Sequence, residues 1–256
     1  MLSHDDTVHQ QFDPQAHAYL HSVVHARGPD LAQAQSLVAG AVRPNGAAVD
    51  VGCGPGHLSF VLARCLARVV AVDPSAQMLS TVEQTASAQG LTAIQTRQAA
   101  AESLPFDAGS FALACTRYSA HHWTDLDAAV KELHRVLEPA GYLLVIDVEG
   151  HEDALTDTHL QTMELLRDRS HVRNRSVSQW RALLSRSGFE RIVHHRWPLR
   201  LQFAPWVQRM RTAPARVEMI RILQRDAPAE AQHALAFEPD GSFTIHTSLF
   251  WARKAA

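Results

Sequence analysis

The chain has 256 residues, 46% of them apolar and 20% charged, which is enough for a single α/β core with room for an added lid. Its formal charge of −2 excludes a global electrostatic pull toward nucleic acid or an anionic membrane. Cys53, Cys65 and Cys115 lack C-x-x-C spacing, no signal sequence is recognisable and no apolar stretch nears membrane-spanning length, so reduced thiols and a cytoplasmic location are expected.

Residues 1–28 are polar, with apolar positions at helical spacing (Phe12, Ala16, Tyr19, Leu20, Val23). They predict an N-terminal helix over the mouth of a ligand site. Asp30 is expected to cap a helix running through Val42, ended by Pro44-Asn45-Gly46. Strands near 47–51, 69–73, 92–97, 110–116 and 141–148 then alternate with helices near 57–66, 75–89 and 124–137. Thr124 with Asp127 reads as a capping box for the last of these. Beyond Gly150 the composition shifts. A helix over 153–169 precedes the Arg-rich HVRNRS stretch, and a shorter one runs from Ser178 to Ser187 and stops at Gly188. Residues 189–203 and 242–252 alternate as strands, and the helical insert between them, 205–236, is broken by Pro214 and Pro228. The expected fold is α/β: a doubly wound, mostly parallel seven-stranded sheet with a helical lid insert, in one domain. Within it, 1–28 cover the ligand, 29–150 form the binding core and 151–256 supply the acceptor and lid part.

AAVDVGCGPGHLS, residues 47–59, is the most informative stretch. An apolar run ends in Gly52, Gly54 and Gly56, where φ > 0 is allowed and a ligand can touch bare backbone, and a helix N-terminus with unpaired N–H groups follows. A second run, RVVAVDPSAQML, ends in Asp73, at the distance where a nucleotide-fold carboxylate meets ribose hydroxyls. Small departures select the cofactor. His57 stands where a dinucleotide fingerprint needs its third glycine, and no Lys-Ser or Lys-Thr makes a P-loop. Asp50 would repel a pyrophosphate but suits a ligand carrying an ammonium and a sulfonium. S-adenosylmethionine (SAM) fits best.

VDVGCGPG, VVAVDPSAQML, AAESLPFDAGSFAL and ELHRVLEPAGYLLVID together resemble the successive motifs of class I SAM-dependent methyltransferases. The likeness is nearest to the small-molecule branch with the ubiquinone/menaquinone C-methyltransferases, dense over 45–150 and weaker beyond. The resemblance implies that Asp50, Gly52, Gly54, Gly56 and Asp73 hold SAM and that Met78 lies against the adenine. It implies that the Ala101 backbone donates to the ring, with Glu102 replacing the aspartate that many relatives have where this chain has Ala100. It implies that the N-terminal helix closes over the methionine end through Tyr19, with Phe12 beside it, and that the last two strands pair at the edge beneath a lid.

Thr116 ends the fourth strand and opens TRYSAHHW (116–123), where the transferable methyl should face its acceptor. His121 and His122 are the candidate bases there, although positioning alone can suffice for an in-line displacement. Trp206, Met210 and Met219 are candidate pocket walls. Arg167, Arg169, Arg173 and Arg175 read as a solvated loop first, an anionic-acceptor site second. His17, His21 and His25 share one helix face but lack a further ligand, so no metal site is expected. The expected activity is methyl transfer from SAM to a small-molecule acceptor, without nucleic-acid or membrane partners. Two alternatives stay open: a SAM-binding subunit without turnover and, further off, an NAD-type oxidoreductase.

Overall fold

The computed structural model describes residues 3–13 and 28–255. Helix α1 (His4–Phe12) comes first, opened by a capping box between Ser3 and Asp6. The core follows as α2 (Pro29–Ala41), β1 (Ala47–Val51), α3 (His57–Leu62), β2 (Arg68–Asp73), α4 (Ala76–Ala88), β3 (Ile94–Gln98) and β4 (Phe111–Arg117). A short 3-10 turn, Ala120–His122, leads to α5 (Leu126–Val136) and β5 (Leu137–Val148). The last part holds α6 (Ala154–Arg167), α7 (Val177–Arg186), β6 (Phe189–Leu201), α8 (Phe203–Arg209), α9 (Pro214–Arg225), α10 (Ala229–Ala234) and β7 (Phe243–Lys254).

The seven strands pair in the order β3-β2-β1-β4-β5-β7-β6, parallel except for β7, which runs antiparallel to both β5 and β6. Strands β1, β2 and β4 carry apolar residues on both faces because helices cover both. Ala48, Val69 and Leu113 pack against Leu31, Val38, Leu58 and Leu62 of α2 and α3. On the opposite face Val49, Val70 and Ala114 meet Val130 and Leu133 of α5 and Leu184 of α7. The chain leaves β1 toward β2 and β3, then returns past it to β4. The crevice between the carboxyl ends of β1 and β4 is therefore the topological switch point, where open α/β sheets bind ligands.

Two capping expectations are overturned. Pro29 opens α2, as its fixed φ and missing N–H favour, with Gly28 as N-cap. Asp30 lies inside the helix, and its carboxylate accepts from Arg117 Nε at 2.6 Å in a buried ion pair. For α5 the cap is Asp125, accepting from the Ala128 N–H at 2.8 Å, while Asp127 pairs outward with Arg186 at 2.7 Å. Thr124 lies one residue too early to reach those N–H groups.

The insert between β6 and β7 is a packed unit. Trp206, Val207, Ile220 and Leu235 are buried against Leu160 and Met163 of α6 and Phe243 and Ile245 of β7. Met219, expected as a pocket wall, is instead 51% exposed on α9.

Candidate active site

A cavity of about 200 Å³ opens at the carboxyl ends of four strands. It is lined by Asp50, Gly52 to Pro55, His57 and Leu58 at and after β1, Asp73 to Ser75 and Met78 at and after β2, Ala99 to Glu102 after β3 and parts of 117–124 after β4. The glycine loop has distinct jobs along it. Gly52, at φ +68°, lies so close to the loop after β4 that a Cβ would come within 1.9 Å of Ser119 Oγ. Gly54, at φ +51°, has nothing within 4 Å of its missing Cβ and presents bare backbone to the cavity. Gly56 does not line it. A Cβ there would meet Phe60 at 2.8 Å and Val82 at 3.0 Å, so this glycine serves packing.

Two buried carboxylates dominate the cavity's electrostatics. Asp50 takes the Ser59 hydroxyl on Oδ2 at 2.6 Å, while Oδ1 is buried without a hydrogen-bond partner among the described residues. Burial pushes its carboxyl up to about 6 despite Ser59 and the nearby Arg117. Asp73 bridges the loops, accepting from the Gly54 N–H on Oδ2 and the Ser75 N–H on Oδ1, both at 2.9 Å. Burial raises it likewise to about 6. Each of its oxygens keeps a further lone pair for a ligand hydroxyl.

Helix α1 roofs the cavity. His4, Val8, His9 and Phe12 face it, His4 Nε2 lies 2.9 Å from the His122 carbonyl, and the Ser75 hydroxyl donates to Asp13 at 2.5 Å. A second, smaller cavity of about 80 Å³ shares Phe12, Tyr118 and His122 with the first. Beyond that shared wall it is lined by His121, Glu164, Arg167 and Asp168 with apolar Val148, Leu199, Leu201, Trp206 and Ile245. Tyr118 holds the junction at φ +52°, with its hydroxyl 2.9 Å from Thr247 Oγ1 and burial pushing the phenol up to about 12.

His121 Nδ1–H donates to Asp147 Oδ1 at 2.6 Å, and its backbone N–H donates to Oδ2 at 3.1 Å. Burial alone would lower this imidazole, but Asp147 outweighs it and the value is raised above 6.5. His122 Nδ1 donates to the Ser170 carbonyl at 3.0 Å, and burial, then the neighbouring His121, push it down to about 4. Neighbouring imidazoles at the same turn are thus tuned in opposite directions.

The comparisons bear directly on this arrangement. A family model described as a methyltransferase domain matches residues 49–145. The uncharacterised protein YafE of Escherichia coli K12 is 42% identical over 207 residues, which is 80% of this chain and 99% of YafE. The uncharacterised methyltransferase YcgJ of Bacillus subtilis is 31% identical over 86% of the chain and 87% of its own length. Its crystal structure overlays with a TM-score of 0.82 at 29% identity, covering 88% of this chain and 99% of that one. The chain belongs to the class I SAM-dependent methyltransferases. A putative methyltransferase from Bacillus halodurans overlays at 0.85 and 28%, covering 90% and 100%. The cofactor of this methyltransferase is SAM. The cavity fits it: a buried carboxylate oxygen without a partner suits an ammonium, and the open backbone at Gly54 leaves room beside it.

Of the residues singled out in the sequence, Asp50, Gly52, Gly54, Asp73, Met78, Ala101, Glu102 and His122 line one cavity, and His121 lines its neighbour. Gly56 supports the loop from behind. Thr116 is a correction: its side chain is fully buried and lines neither cavity, because strand alternation turns it to a covered face of the sheet. Met210 lies outside both as well, whereas Trp206 walls the second. Tyr19, with the His17, His21 and His25 set, lies outside the described residues. Among the described residues no cluster fit to hold a metal is present. The sequence reading passed over Asp147 and Ser59. A signal for Asp147 existed, since an acid follows the apolar run LLVI near the carboxyl end of its strand.

Proposed function

We propose that this methyltransferase transfers the SAM methyl to a small molecule held in the second cavity, with His121 and Asp147 drawing off the acceptor's proton. The observation that carries this is the shared wall of Phe12, Tyr118 and His122: the larger cavity abuts a smaller one lined by His121, whose Nδ1–H is held by the buried Asp147. In this reading Asp50 meets the ammonium, Asp73 the ribose hydroxyls, and Met78 with Ala101 and Glu102 the adenine. SAM supplies an electrophilic methyl on a good leaving group, so the protein's tasks are alignment and proton removal. Free Cys53, Cys65 and Cys115 accord with a reducing, cytoplasmic setting. No helix among the described residues is long and apolar enough to cross a membrane. Incubating the enzyme with SAM and a metabolite extract, then scanning by mass spectrometry for a compound heavier by one CH₂, tests the reading. An extract left unchanged by folded, SAM-binding protein would refute it and favour a binding subunit without turnover.

Gly54→Val should abolish binding of S-adenosylhomocysteine (SAH) while leaving the circular dichroism of the sheet intact. The branched side chain would occupy the cavity and resist φ > 0. Retained affinity would remove the loop from the site. SAH affinity should also depend on pH. Asp50 and Asp73 must be ionised to serve the ligand, yet burial holds both near 6. The folded, ligand-free values lie above the unfolded ones, so the empty protein loses stability as pH rises from about 4 to about 6. By the same linkage SAH binds progressively worse as pH falls through 6. Calorimetry between about pH 8 and about pH 5 should show this decline. A flat profile would separate the two carboxylates from the ligand.

A further inference from the structure

A third hollow lies beside the second cavity. It is a surface cleft of about 420 Å³ between α1 and the start of α9, into which Arg167, Arg169, Arg211 and Arg216 converge. No carboxylate is among its described lining residues. Arg167 is already engaged, donating to Glu164 at 3.1 Å and to the Trp206 carbonyl at 3.0 Å. The side chains of Arg169 and Arg216, which also line the cleft, make neither an ion pair nor a hydrogen bond with any described residue. Other arginines behave differently: Arg173 is paired with Asp157 at 2.9 Å and Arg186 with Asp127 at 2.7 Å. The walls are fixed, since Thr212 Oγ1 donates to the Arg167 carbonyl at 3.0 Å and Gln11 Nε2 to the Met210 carbonyl at 2.8 Å. The side chains of Arg169 and Arg216 thus bring two guanidinium groups without a described counter-charge to one fixed cleft, and guanidinium forks match oxyanion geometry. Arg167 also lines the second cavity, so the cleft and the acceptor pocket are separated by one side chain.

We infer that this cleft binds an oxyanion of more than one charge, phosphoryl or dicarboxylate, borne by the methyl acceptor whose reacting part sits in the second cavity. The acceptor role rests on the function proposed above; the anion site stands on the cleft alone. The test uses the full chain saturated with SAH and titrated by calorimetry with inorganic phosphate and, separately, malonate. Saturable binding is expected for at least one of them, and the stronger identifies the group as phosphoryl or carboxylate. Arg169→Ala/Arg216→Ala should weaken it by about tenfold or more, with SAH affinity unchanged. Absence of saturable binding of both anions, affinity undiminished in the double variant, or displacement of SAH by the anion would each overturn the site. A second arm follows labelled methyl groups from SAM into a metabolite extract separated by anion exchange. Product in the strongly retained fraction, with KM raised more than kcat is lowered in the double variant, supports the inference. Product in the unretained fraction overturns it while upholding methyl transfer. No labelled product anywhere overturns the acceptor role together with the proposed function, whatever the titration gives.

Discussion

Replacing Asp73 by alanine should weaken SAM and SAH binding by about 2–4 kcal/mol, the scale of losing a buried charged acceptor. Two effects add at this position. The ligand's hydroxyls lose the carboxylate, and the glycine loop loses its anchor, because Asp73 is what ties the Gly54 N–H to the Ser75 N–H across the cavity floor. Asp73→Asn separates them. It preserves one carbonyl acceptor without the charge, so it should retain part of the loop geometry and fall between wild type and alanine. Isothermal titration with SAH reads both variants, and a melting curve shows whether the sheet survives. Unchanged affinity in Asp73→Ala would take this residue out of the site.

His121→Ala should lower kcat by roughly a hundredfold to ten-thousandfold, the usual contribution of a general base, with SAH affinity intact. Asp147→Asn provides the sharper diagnosis. In the wild type Asp147 holds His121 above the ordinary histidine value of 6.5, so activity should climb with pH through that raised value as the imidazole loses its proton. Without the carboxylate charge the imidazole is easier to deprotonate. The acid limb of the pH profile should then move to lower pH while the plateau rate falls, because the tautomer is no longer enforced and the imidazolium no longer stabilised. A plain structural role for Asp147 would lower the rate without moving the limb. His122 makes the internal control: already held down to about 4, it stays neutral throughout this range.

The fold and the cofactor end of the site were legible because local rules govern them. Strand–glycine–helix turns, a carboxylate ending the second strand and the alternation of apolar segments are all encoded within a few consecutive residues. Asp50, Gly54 and Asp73 could be found that way, each placed by its own strand end. What escaped depends on contacts far apart in sequence. Asp147 acts on His121 only because β4 and β5 are neighbours, and Asp30 leaves its expected cap for Arg117, 87 positions on. Thr116 misled for a different reason: it stands near the end of β4, but the two-residue period of a strand decides which face a side chain takes. The insert, expected as a lid, carries a core of its own, so excising 205–236 would strand Leu160, Met163 and Phe243 in water. Point substitutions at Trp206 are the cleaner probe of acceptor choice.

The opposite placement of the chain's two described ends has a practical consequence. Ser3 and α1 sit on the roof shared by both cavities, where His4 and Phe12 touch the junction. Lys254 ends β7 alongside the beginning of β5 and donates to the His134 and Leu137 carbonyls, at the amino-terminal rim of the parallel strands. Purification handles, fluorophores and surface-immobilisation chemistry therefore belong after Lys254, on the side of the sheet away from the ligands. A tag fused ahead of Ser3 would crowd the entrance and depress measured affinities in a way easily mistaken for an inactive enzyme.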